Sequence, residues 1–236
     1  MRILAIETAS EACSVALFEG DALLARDHRV LGRGHAEALV PMIAALPAKG
    51  RADRILVSLG PGSFTGVRIG LATARALGFA WGAEVLGYPT LALVAAQALG
   101  QHPGTPLTVC VNGGHGEWFV QDFGPDGLPE TKALSQTPAA ARGDIHYSYA
   151  AGNRAAELLE FDGAGMVTLD VMDTRGTPAV EAMSLARTGD AFALGELVGL
   201  VCLGDEVDNL GLEDATAYGD LHPVVGFGKF WGRTAL

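Results

Sequence analysis

The groups from which this chain of 236 residues could build chemistry are few and scattered. Its six histidines, at positions 28, 35, 102, 115, 146 and 222, form no His-x-x-x-His or His-Glu-x-x-His pair, so no metal site is expected. Cys13, Cys110 and Cys202 lie far apart, each in an apolar run, where a reduced and buried thiol is the expected state. Ser63 and Thr65 carry hydroxyls, but neither sits in a Gly-x-Ser-x-Gly elbow and no base is identifiable for either. Glu7 and Thr8 close the first apolar run, where an acid-and-hydroxyl turn could face a phosphate; a turn required by the fold is the simpler explanation. No catalytic residue is assigned.

The most informative stretch is Gly60-Pro61-Gly62-Ser63-Phe64-Thr65-Gly66-Val67-Arg68-Ile69-Gly70. It joins an apolar strand to a helix, with Ser63 or Thr65 as the cap. Free amides at a helix start favour an anion. Glu7, Thr8, Gly60, Gly62, Ser63, Thr65 and Arg68 are therefore the candidates for lying beside a nucleotide. The spacing matches neither a phosphate loop ending in Gly-Lys-Ser/Thr nor the dinucleotide fingerprint, so a purely structural turn is the other reading.

Behind that turn, Gly66, Gly70, Ala74, Gly78 and Gly82 recur every fourth residue, so a ribbon of tiny side chains runs along one side of the helix. A glycine inside a helix costs up to about 1 kcal/mol relative to alanine, which is tolerated where another backbone must come close. The preceding helix, with Leu39, Met42 and Ile43, is also apolar around most of its circumference. A helix outside a sheet should show one wet face. Either both helices are covered within the chain, or they form a docking surface for another subunit.

The elements that position these residues follow from turn signals and periodicity. Strands are expected at Arg2–Ile6, Cys13–Phe18 and Ala22–Arg29, separated by tight turns. Helices are expected at His35–Leu46, with Pro41 as a kink, at Thr65–Trp81 and at Thr90–Leu99, with strands at Arg54–Leu59 and Val85–Tyr88. The run from Gln101 to Pro106 breaks all periodicity and sets a boundary, giving lobes at 1–101 and 102–236. Beyond it, strands at Leu107–Val111 and Trp118–Phe123 flank an Asn112-Gly113-Gly114 turn, and helices are expected at Ala150–Leu159, Val180–Arg187 and Asp190–Leu203. The alternation indicates an α/β layer fold.

With 49% apolar and 18% charged residues the chain must fold around a core. Its formal charge of −11 argues against gripping nucleic acid directly, because phosphate neutralisation needs a basic patch. Glu7 interrupts the first apolar run, no window is suited to crossing a membrane, and the cysteines suit a reducing compartment, so a cytoplasmic location is expected.

The N-terminal run Met1-Arg2-Ile3-Leu4-Ala5-Ile6-Glu7-Thr8-Ala9-Ser10 and the segment Gly60–Gly70, together with His35 followed by Leu39-Val40-Pro41-Met42, resemble the signatures of the TsaB (YeaZ) family. The resemblance implies an actin-like/sugar-kinase/Hsp70-type (ASKHA, ribonuclease H-like) fold with two lobes around a cleft. It implies a non-catalytic scaffold that pairs with a TsaD-type catalytic subunit and a TsaE-type ATPase for threonylcarbamoyl transfer to the adenosine beside the tRNA anticodon. No cofactor is expected on the isolated chain, and ATP or ADP only in the complex. The subunit interface, also used for a homodimer, is implied to lie on the two helices, at His35, Leu39, Met42, Ile43, Gly66, Gly70, Ala74, Arg75 and Gly78. The second half departs from the family pattern: at Asn112–Phe119 only Gly116-Glu117 survive of a segment that typically carries an acid and an arginine. The alternative from another class is a stand-alone ATPase or kinase-like enzyme of the same superfold. A peptidase, suggested by fold-level analogy alone, finds no nucleophile–base pair here.

Overall fold

The computed structural model describes residues 1–159 together with the short strand Phe192–Ala193. Three strands open the chain as an antiparallel meander: β1 (Arg2–Glu7), β2 (Ala12–Glu19) and β3 (Ala22–Val30), with Leu4 opposite Leu17 and Val15 opposite Asp27. Two strands then join in parallel, β4 (Arg54–Ser58) beside β1 and β5 (Glu84–Tyr88) beside β4, while Phe192–Ala193 (β10) pairs antiparallel with β5. The sheet order is β10-β5-β4-β1-β2-β3.

Strands β1 and β2 are buried on both faces, which explains why they read as continuous apolar runs rather than as alternation. Leu4, Ile6, Val15 and Leu17 pack against α1 (His35–Ala45) and α2 (Phe64–Trp81). Ile3, Ala5, Ala16 and Phe18 share the opposite core with α3 (Thr90–Gln101). That same core takes in Leu107, Val109 and Phe123 from a second sheet, so α3 is buried nearly all round and cements the two halves.

The second sheet has the order β8-β7-β6-β9, built from β6 (Leu107–Gly114), β7 (Glu117–Phe123), β8 (Leu134–Gln136) and β9 (Ala150–Ala151). Cys110, Trp118 and Val120 on its far face are covered by α4 (Pro138–Gly143) and α5 (Ala155–Leu159). Both described cysteines are buried, and desolvation pushes their thiols up, Cys13 to about 11 and Cys110 to about 12.

Two sequence expectations are corrected. Ala150–Leu159 is not one helix: Ala150 and Ala151 pair in parallel with Thr108 and Val109, and Gly152, at φ 117°, turns the chain into α5. The expected helix Asp190–Leu203 fails at Phe192–Ala193, which extend the first sheet; its remainder, and Val180–Arg187, lie outside the described residues. Among the described residues no helix is long and apolar enough to cross a membrane.

Candidate functional site

The glycine motif is consumed by packing inside the chain. Ser63 caps α2, its Oγ accepting from the Gly66 amide at 3.2 Å. The Ser63 amide donates to the Ala9 carbonyl at 2.6 Å, and the buried Thr8 hydroxyl donates to the Gly66 carbonyl at 2.8 Å. The Thr8–Ala9 turn thus lies directly on the helix start. A Cβ at Gly62 would run into the Ala9 backbone, and one at Gly66 into the Thr8 carbonyl.

The ribbon continues inward. A Cβ at Gly70 would meet the Thr8 hydroxyl and Val57, and one at Gly78 would meet Val85, while Ala74 is fully buried in the core beneath the first sheet. Of the two sequence readings of α2, cover within the chain is the correct one for this side. Gly66, Gly70, Ala74 and Gly78 therefore cannot form a docking surface. The same correction applies to α1. Leu39, Met42 and Ile43 are core residues, and His35 is buried with Nε2 set between the carbonyls of Ser10 (3.0 Å) and Ala12 (3.1 Å), so Nε2 carries the proton. Of the residues expected at the interface, Arg75 alone is exposed.

Turning the ribbon inward leaves a different face outside. Val40 is 54% and Phe79 is 93% exposed. Around them α1 presents Pro41, Ala44 and Ala45, and α2 presents Ala72, Ala76 and Ala80, all exposed. Apolar residues of the two helices share one core, so these outer faces belong to adjacent elements. Residue spacing marks the small residues rather than this face, for Phe79 lies outside their register of four.

A cleft of about 470 Å³ opens between the two sheets. The first half contributes Glu7, Ser10, Glu11, Gly62, Ser63 and Thr65, and the second Asn112, Gly113, Gly114, His115 and Asn153. So Glu7, Gly62, Ser63 and Thr65 line one cleft, whereas Thr8, Gly60 and Arg68 do not. The Arg68 guanidinium instead lies 3.5 Å over the Phe64 ring. Glu7 is buried, with Oε1 accepting from the Ala9 amide at 2.6 Å, and burial raises its carboxyl to about 7. Among the described residues the ionisable lining consists of Glu7, Glu11 and His115, with no lysine or arginine to balance a phosphate. Among the described residues no cluster of three or more His, Cys, Asp or Glu could hold a metal.

One acid–histidine pair lies elsewhere. Asp122, buried on β7, accepts from the Thr108 hydroxyl at 2.6 Å and is 2.6 Å from Nδ1 of exposed His146, whose ring it raises through hydrogen bonding and charge. The Thr108 hydroxyl is spent on the carboxylate, so the pair ties a loop to the sheet rather than activating a nucleophile.

A family model described as tRNA N6-adenosine threonylcarbamoyltransferase, TsaD, matches residues 29–134. The Escherichia coli (strain K12) tRNA threonylcarbamoyladenosine biosynthesis protein TsaB is 36% identical over 133 residues, covering 53% of this chain and 56% of that protein. The Haemophilus influenzae protein of the same name is 30% identical over 118 residues, covering 48% and 49%. The chain thus spans about half the length of these curated relatives. The structure of YeaZ from Pseudomonas aeruginosa superposes with a TM-score of 0.67 at 23% identity, over 84% of this chain and 98% of that one, which shows a common fold. The two-sheet architecture is accordingly of the ASKHA, ribonuclease H-like type. Signature segments, sequence relatives and fold agree: over about half its length the chain is similar to TsaB proteins, and it shares the fold of YeaZ.

Proposed function

We propose that this protein serves threonylcarbamoyladenosine biosynthesis in tRNA as a non-catalytic accessory subunit. It holds a TsaD-type catalytic paralogue against the outer faces of α1 and α2, and a TsaE-type ATPase joins the assembly. The observation that carries this reading is the exposed outer face of the two helices, with Val40, Ala72, Ala76 and the nearly bare Phe79 ring beside exposed Arg75. A bare aromatic ring grouped with other exposed apolar side chains fits a surface that a partner covers. The chain contributes position rather than chemistry, for no nucleophile–base pair or metal cluster lies among the described residues at the cleft. Nucleotide belongs to the complex, because the described residues of the cleft lining supply no cation to its phosphates. The acidic charge leaves the tRNA to the partner. A homodimer would use the same face in the partner's absence.

The alternative, a stand-alone ATPase or kinase-like enzyme, is favoured only by the buried Glu7 at the cleft floor. Phosphoryl transfer also needs a metal-anchoring set and a positioned base. Tight ATP–magnesium binding by the isolated chain in calorimetry would support it.

The test of the accessory role is the mass of the complex formed with the TsaD-type paralogue, for the natural chain and for Val40→Asp and Phe79→Asp. Burying a phenyl ring contributes about 1.5–3 kcal/mol, so Phe79→Asp should weaken association by at least about ten-fold, with the monomer still folded. Unchanged association in both variants places the interface elsewhere. No complex from the natural chain, with normal modified adenosine in a deletion strain, overturns the function itself.

A further inference from the structure

Asn153 stands on the second-half side of the cleft, just before α5, and its amide is used at both ends. Nδ2 donates to Glu11 Oε1 at 3.1 Å and to Oε2 at 3.0 Å, while Oδ1 accepts from the Asn112 amide at 2.8 Å. Glu11 belongs to the turn between β1 and β2, so this one side chain ties the two halves across the cleft mouth.

The turn that Glu11 occupies also holds the start of α1. The Glu11 carbonyl accepts from the Leu31 amide at 2.9 Å and the Gly32 amide at 2.8 Å. The carbonyls on either side of it, Ser10 and Ala12, both take the His35 ring nitrogen, and His35 is the first residue of α1. The lead-in itself has little stiffness of its own: Gly32 and Gly34 both adopt positive φ, at 66° and 92°. Three successive carbonyls of one turn therefore fix where α1 begins, and the carboxylate of the middle residue is held by Asn153.

We propose that the Asn153–Glu11 contact couples the cleft to the docking face, so that the state of the second half sets the position of α1 and with it the affinity for the partner. This coupling rests on the docking role proposed above and names its regulation. Its physical content is one charge-assisted contact, one turn and one buried histidine, each of which can be broken separately. When Asn153 is displaced, the Ser10–Ala12 turn loses its outer anchor and α1 loses the fixed frame at its first residue.

The test is a reversal of donor and acceptor. Asn153→Asp sets two carboxylates face to face. Glu11→Gln combined with Asn153→Asp restores the contact with its direction inverted, and the carboxylate introduced at position 153 can still accept from the Asn112 amide. Two quantities are read on the full chain: hydrogen exchange at the Leu31 and Gly32 amides, and affinity for the TsaD-type paralogue. Loss of a hydrogen bond to a charged group should speed exchange at both amides about ten-fold and weaken association by a similar factor in Asn153→Asp, and the double variant should return both towards the natural values. Should Asn153→Asp fail to fold, Glu11→Gln alone, which keeps the contact but removes its charge, is read in the same way with smaller shifts. The coupling is refuted if exchange and association are both unmoved, or if exchange rises while association holds and Phe79→Asp still abolishes it. If Phe79→Asp also leaves association intact, it is the docking role that fails.

Discussion

The sharpest consequence of the packing is that two glycine-to-alanine changes in two helices should act with opposite sign. At Gly66 an added Cβ would lie 2.0 Å from the Thr8 carbonyl oxygen, and ordinary contact begins at 3.4 Å, so helix and turn must part by about 1.4 Å. The obstacle is backbone, not a side chain that can swing away. Separation also breaks the hydrogen bond from the Thr8 hydroxyl to the Gly66 carbonyl, worth about 1 kcal/mol. Overpacking of this kind costs about 1–3 kcal/mol, and the gain in helix propensity offsets at most about 1 kcal/mol. Gly66→Ala should therefore destabilise by about 1–3 kcal/mol. Gly100, near the end of α3, has nothing within 4 Å of its added Cβ and no positive φ, so Gly100→Ala should stabilise by about 0.5–1 kcal/mol. Urea denaturation of both variants against the natural chain measures the pair. A Gly66→Ala midpoint at or above that of the natural chain would refute the close approach of turn and helix.

Further changes probe the buried polar groups beneath the cleft. Burial holds Glu7 at about 7, above its ordinary 4.5, so the folded chain keeps a proton that the unfolded chain has released. Stability should accordingly fall as pH rises through that window, by about 3 kcal/mol in all, and be level above it. Glu7→Gln should flatten the dependence of unfolding free energy on pH across the same window, and an unaltered slope would show that the carboxyl titrates normally. The Tyr88 hydroxyl donates to the Ile6 carbonyl at 2.8 Å within the core, so Tyr88→Phe should lower stability by about 1–2 kcal/mol in denaturant titration. Full retention of stability would mean that the carbonyl needs no such donor.

Much of the first sheet and its helices was legible because each element carries its own local signal. Arg2–Glu7 and Ala12–Glu19 are apolar runs bounded by polar turns, and α2 ends where periodicity does, at Gly82 with φ 66°. Long-range contacts left no such trace. Glu11 and Asn153 are 142 residues apart, and nothing near either marks it as the other's partner. The short elements β8 and α4 were missed for a related reason. Three exposed or half-buried residues in one, and a single buried one, Ala141, in the other, are too few to show a period. The Ala150–Leu159 segment misled because its alanines and leucines suit a helix, whereas pairing with β6 claims its first two residues.

The small-residue ribbon shows where a sequence argument loses a sign. Spacing by four reveals that some backbone approaches closely, but a partner's helix and the chain's own sheet demand the same residues. The sheet takes that side here, and the choice has a geometric consequence for the rest of α2. With glycine and alanine facing inward, the helix packs close against β1, β4 and β5. Leu71, Leu77 and Trp81 are half-buried at its flanks, and Phe79, one residue beyond buried Gly78, is left almost wholly bare. A helix with its bulk inside and its glycines outside would have hidden the phenyl ring and offered a groove. This arrangement does the reverse: it spends the smallest residues on intimacy with the sheet and turns an aromatic ring outward beside exposed Arg75, Ala76 and Ala80. The close packing at Gly66, Gly70 and Gly78 and the outward Phe79 ring are thus two sides of one helix orientation.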